Sequence, residues 1–199
     1  MYSLIRVFIF LLFSVVVLTK VKLNKAKRIT VIVVAVLLCT FSNFVPVENL
    51  FIDFSSPEKV YKYMFLGNDD IKTTVYGDES AMVIAEKGEN AYSILFVPES
   101  ENGWNIGNNL YAKSVCHKTH NKIIIDVKKY SNTADYYIVV KDIGSQINKI
   151  TDSNNSEFVS FNSNASESEN QITFYYTSIQ NFNEQYWVEI NSERINLGE

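Results

Sequence analysis

The chain has 199 residues, 47% of them hydrophobic, and a formal net charge of −4; that is room for one modest domain, with too little basic surface to hold nucleic acid. The average hides a partition: residues 1–46 carry six cations (Arg6, Lys20, Lys22, Lys25, Lys27 and Arg28) and no carboxylate, whereas residues 47–199 carry all 22 carboxylates against twelve cations. The two cysteines, Cys39 and Cys116, fall in different parts of this partition, which argues against a disulfide framework.

The first predicted elements are two apolar runs, residues 2–19, interrupted by Arg6, and residues 29–45, closed by Pro46. Seventeen residues in a helix cover roughly 26 Å, close to the thickness of a hydrocarbon core, so the pattern predicts two transmembrane helices, about 2–19 and 29–45. Both runs are apolar on every side, which favours lipid exposure over an amphipathic surface helix. Between them, residues 20–28 hold five cations, the signature of a cytoplasmic loop. On this reading residues 1–46 are a two-helix membrane anchor in the lipid bilayer, and residues 47–199 form a domain on the extracytoplasmic side of a two-pass cell-membrane protein. Leu38 before Cys39, and Thr40-Phe41-Ser42, suit neither type of signal peptidase, so the anchor is expected to be retained.

Beyond the anchor, Ser55-Ser56-Pro57-Glu58 opens a short helix, with Ser56 as cap, Pro57 at the first position and Gly67 to close it. From residue 71 the pattern becomes short β-branched and aromatic runs between turn residues. Strands are predicted at 71–76, 81–86, 91–97, 110–116, 122–129, 135–141, 146–150, 157–161, 171–178, 184–190 and 194–197. A turn at Lys87-Gly88-Glu89-Asn90 joins the second to the third, and Asn191-Ser192 leads into the last. Residues 123–127 and 136–140 are apolar on both faces, which implies a core enclosed by more than one layer. The expected fold is a mainly-β domain, an antiparallel β-sandwich or small barrel with one short helix at its start. Residues 162–170, rich in Ser, Asn and Glu, read as an exposed loop.

Candidate chemistry is sparse. Cys116, His117 and His120 stand together, but neighbours on a strand point to opposite faces, so they converge on a metal only if a turn begins there. The simpler expectation is a polar hairpin loop over residues 117–121, with no metal and no cofactor. Asp152-Ser-Asn154-Asn155-Ser156-Glu157 resembles a calcium loop without its sixth-position glycine or, at Ser163, its closing glutamate; a solvated turn is the stronger reading. The acidic pairs Asp69-Asp70, Asp78-Glu79 and Glu99 with Glu101 sit near Gly67, Gly77 and Gly103, as loop residues do, rather than facing one another across a glycosidase cleft. No G-x-S-x-G, G-x-x-x-x-G-K or H-E-x-x-H occurs, and the two histidines lie in one predicted loop, so no catalytic residue is assigned. Trp104, Tyr175, Tyr176 and Trp187 could form a sugar platform, though packing is the commoner use of such rings.

The twin apolar helices, Phe54-Ser-Ser-Pro57-Glu58, Ala81-Met-Val-Ile-Ala with Ala91-Tyr-Ser-Ile-Leu, and the closing Asn181-Phe-Asn-Glu-Gln-Tyr186-Trp-Val-Glu-Ile190 together resemble small membrane-anchored hypothetical proteins of low-GC Gram-positive bacteria. The abundance of Ile, Asn, Lys and Tyr is similar in kind. The resemblance implies a protein of the bacterial cell envelope and carries no active site across. The expected function is a non-catalytic binding or interaction module with a membrane or envelope protein partner and no nucleic acid. The alternatives are an enzyme on wall or lipid substrates with an unrecognised site, and a self-protection protein against an external toxin.

Overall fold

The structure, a computed structural model, describes residues 2–20, 24–44, 46–65, 69–87, 92–107, 112–130, 133–144, 146–162 and 172–198, with the side chains of 2–7, 9, 10, 39, 41–44 and 47 outside that description. Two helices, α1 (Tyr2–Lys20) and α2 (Lys25–Phe44), pack on each other and are followed by a 3-10 turn, Val47–Leu50. The rest is mainly β.

The expected pair of transmembrane helices is corrected: among the described residues no helix is long and apolar enough to cross a membrane. Part of the reason is the cap. The Asn24 side chain accepts the Lys27 N–H at 3.0 Å and starts α2 at Lys25, drawing Lys25, Lys27 and Arg28 into its first turns instead of leaving them in a loop. With the spanning helices falls the two-pass, cell-membrane and extracytoplasmic placement of the chain. Arg6, which interrupts the first expected span, and Val45, which ends the second, lie outside the described side chains.

Helix α3 (Pro57–Met64) begins as its sequence dictates, with Pro57 at the first position after an extended Ser56, although Ser56 makes no side-chain cap bond. Gly67 and the Lys87–Asn90 turn lie largely outside the described residues. Three sheets follow. The first is an antiparallel meander of β1 (Asp70–Tyr76), β2 (Ser80–Glu86), β3 (Tyr92–Ser100) and the two-residue β4 (Gly103–Trp104). The second, in order β5-β6-β7-β10-β9, comprises β5 (Ala112–His120), β6 (Ile123–Tyr130), β7 (Tyr136–Ile143), β9 (Val159–Asn162) and β10 (Ile172–Ile179). The third, in order β12-β11-β8, comprises β8 (Ile150–Asp152), β11 (Trp187–Ile190) and β12 (Glu193–Asn196).

Strand periodicity stacks these elements into four layers, α3, first sheet, second sheet and third sheet. Odd positions of β2 and β3 (Val83, Ala85, Leu95, Val97) meet Val60 and Tyr61 of α3, while Met82, Ile84 and Phe96 meet Tyr137 and Tyr176 of the second sheet. The opposite face of the second sheet (Ile123, Ile125, Val127, Ile138, Val140) meets Val188, Ile190 and Leu197. Strands apolar on both faces are therefore those with a layer on each side, one more layer than a two-sheet sandwich supplies. Asn191 and Ser192, both at positive φ, turn β11 into β12 in the mirror-image geometry that matches strand twist.

Candidate functional site

Four segments converge at one end of the first two sheets: the β1–β2 turn, the entry to β7, the β8–β9 loop and the exit of β10. Gly77, Asp78, Asp135, Asn154, Ser156, Ser178, Ile179, Gln180 and Asn181 line an open cleft of about 300 Å³ between them. Its floor is set by Asp135, which is fully buried. One carboxylate oxygen accepts the Asp78 N–H at 2.9 Å; the other accepts the Glu79 N–H at 3.0 Å and the Ser80 hydroxyl at 2.7 Å. Ser80 in turn lies 2.7 Å from the Tyr137 hydroxyl, and burial, more than any neighbour, pushes that phenol up. A buried carboxylate is tolerable when its oxygens are this well supplied with donors. The turn closes over Asp135 so tightly that a Cβ on Gly77 would lie 2.4 Å from the carboxyl carbon. Glu79 completes the clasp by accepting the Ala134 N–H at 2.8 Å.

The cleft's opposite wall has a parallel construction. Asp152, also fully buried, accepts the N–H groups of Asn154 at 3.1 Å and Ser156 at 2.7 Å through one oxygen, and the Tyr186 hydroxyl through the other. The calcium-like stretch is therefore a turn whose leading carboxylate is occupied by backbone donors. With the two buried carboxylates committed, the groups facing the cleft are the uncharged Asn154, Gln180 and Asn181 side chains, which make no hydrogen bond to another described residue, and the Asp78 carboxylate. Among the described residues no histidine, cysteine or lysine lines it.

The metal and aromatic candidates of the sequence lie elsewhere. Cys116, His117 and His120 are on β5, a strand that continues through His120 and turns at Asn121, so the expected polar loop over 117–121 is corrected to a tight turn. His117 is exposed opposite Asp126 in the register, whereas Cys116 packs toward the core and His120 reaches Glu193 at 3.2 Å. Among the described residues no group of three His, Cys, Asp or Glu side chains could hold a metal ion. Tyr175 and Tyr176 point to opposite cores, Trp104 meets Tyr76 edge-on, and Trp187 lies under Arg194, so the four aromatic candidates do not assemble a platform. Asp78-Glu79 does occupy a turn, and the backbone bond from Glu99 N–H to Glu79 C=O brings Glu99, at the end of β3, beside it.

Sequence reasoning missed Asp135 and Asp142 and read Asp152 only as the lead of a calcium-like turn; among the described residues these are the three buried carboxylates. Each stands at the end of an apolar strand run, the one available signal. Asp142 accepts the Ile147 N–H at 2.8 Å, and its second oxygen has no hydrogen-bond partner among the described residues. Comparison of the chain with known protein families, curated proteins and solved structures finds no match to any of them.

Proposed function

We propose that the chain is a non-catalytic binding or interaction module whose ligand site is the cleft between the β1–β2 turn and the end of β10. The observation that carries this reading is the commitment of the buried carboxylates: Asp135 and Asp152 each hold donors of their own turn, so they shape the walls. What remains to meet a ligand is a set of amides, hydroxyls and one carboxylate. These are recognition groups, and no nucleophile with a neighbouring base stands among the lining residues. The excess of carboxylates over cations in residues 47–199 favours neutral or cationic ligands and opposes nucleic acid.

The experiment is equilibrium binding to the full chain by calorimetry, with soluble wall fragments and short peptides as probes, each bound sample then analysed by mass spectrometry. The expected result is saturable binding of a probe that is recovered unchanged, lost when Ser156→Trp fills the cleft. Conversion of a bound probe that Asp78→Asn abolishes without unfolding the chain would overturn the reading.

A further inference from the structure

We infer that the cleft takes an extended, cationic polypeptide segment, which adds to the open margin of β10 as a further strand; this rests on the cleft being the binding site. β10 is paired with β7 along its whole length, Ile172 to Ile179, but β9 covers the other margin only from Thr173 to Tyr176. Ahead of Val159 the chain leading into β9 leaves that margin, and Asn154 and Ser156 become the far wall of the resulting gap. Ser178, Ile179, Gln180 and Asn181 are its near wall. No backbone hydrogen bond from another described residue reaches Gln180 or Asn181. Open main-chain donors and acceptors at a sheet margin are the groups that an incoming strand satisfies.

Side-chain direction agrees. Ser178 donates to the Tyr76 carbonyl in the first sheet, and Ile179 belongs to the core against the third sheet. A segment laid alongside them would turn alternate side chains to those two levels. At about 3.3 Å per residue the four near-wall residues present roughly 13 Å of margin, enough for about four residues of a guest. A cleft of about 300 Å³ is at the small end of ligand sites, which suits a short stretch of main chain. Charge selects the guest: the Asp78 carboxylate on the wall has no partner among the described residues, and Glu79 and Glu101 in the two turns and Glu99 at the end of β3 stand at the same end. A saccharide would look for an aromatic face to stack on, and among the described residues none lines the cleft.

The test uses the full chain and a fluorescein-labelled octapeptide of alternating lysine and threonine, followed by anisotropy and by amide NMR. Two control peptides accompany it: the same sequence N-methylated at alternate residues, and glutamate in place of lysine. Saturable binding is expected, with shifts confined to the amides of residues 178–181, at least about tenfold weakening by N-methylation, and loss of binding with glutamate. Ser156→Trp, or Asn154→Trp should the first variant fail to fold, should abolish it. Equal affinity for the N-methylated peptide would overturn strand addition while leaving the cleft as the site. Binding indifferent to both tryptophan variants would remove the cleft itself, and no saturable binding of the lysine peptide would refute the polypeptide ligand.

Discussion

The clasp of the β1–β2 turn on Asp135 predicts a specific failure of additivity. Gly77 has no positive φ, so alanine there would ordinarily stabilise the chain by about 0.4–1 kcal/mol through the unfolded state. The new Cβ, however, would stand 2.4, 2.5 and 2.7 Å from the three carboxyl atoms of Asp135. A free carboxylate would swing away; this one is held by two backbone N–H groups and the Ser80 hydroxyl and cannot move without releasing them. Gly77→Ala should therefore destabilise by about 1–3 kcal/mol, the range of an overpacked site. Asp135→Ala alone leaves the same three donors without their acceptor. At ~1–3 kcal/mol for a buried group, with Asp78 and Glu79 exposed enough for partial rehydration, a loss of about 3 kcal/mol is expected. In the double variant the clashing atoms are gone, so Gly77→Ala becomes neutral or favourable, and the two changes together should be about 2 kcal/mol less damaging than their sum. Urea unfolding of the four full-length chains, with the slope checked for constancy, measures this directly. Additivity to within ~0.5 kcal/mol would refute the clasp.

Three further outcomes are expected. Tyr186→Phe removes the hydroxyl that Asp152 accepts and should lower stability by about 1–3 kcal/mol; an unchanged urea midpoint would show that Asp152 does not need it. Burial, supplemented by the nearby Asp69 carboxylate, pushes the Tyr61 phenol up to about 12, and burial likewise raises Tyr137, Tyr176 and Tyr186. Since the folded state then holds protons that the unfolded chain releases near 10, stability is fully present below pH 10 and is lost between pH 10 and about 12; melting curves across that interval should fall, and fall less steeply for Tyr61→Phe. Replacing His117 and His120 together by Ala should change stability by less than ~0.5 kcal/mol, because one is exposed and the other makes a mostly solvated pair with Glu193. A rise of many degrees in the melting temperature of the parent chain on adding zinc would contradict the geometry of β5.

Periodicity carried the strands well because it records which faces are covered. Residues 123–127 and 136–140, apolar on both sides, are β6 and β7 of the central sheet, packed against a neighbour on each face. It carried them badly where backbone bonding is replaced by side chains: the strand expected at 146–150 begins only at Ile150, because Asn191 takes the N–H groups of Asn148 and Lys149 and the carbonyl of Gln146. The two-residue β4 was invisible because two residues, Gly103 and Trp104, are too few to show a period, even though they pair with the end of β3 and Phe54 bridges Trp104 as well. The start of α2 was misplaced because the Lys-rich stretch was read for its charge, while Asn24, its cap, was not read for its hydrogen bond. The cleft was beyond reach for a related reason. Asp135 and Gly77 are separated by more than fifty residues, and nothing local distinguishes an aspartate that will clasp a distant turn from one that will face water.

The order of strands in the second sheet has a consequence for how the molecule is made. The first sheet is a chain of neighbouring hairpins, so all its partners exist once Trp104 has left the ribosome. β10, by contrast, slots between β7 and β9, both made before it, and Leu197 closes the core beneath. Until residue 179 emerges, β7 has a bare margin lined by Tyr137 and Val140, a sticky edge in a crowded cell. A nascent chain stalled between β9 and β10 should thus show a protease-resistant first half and an aggregation-prone second half, a vulnerability with a defined beginning and end in synthesis.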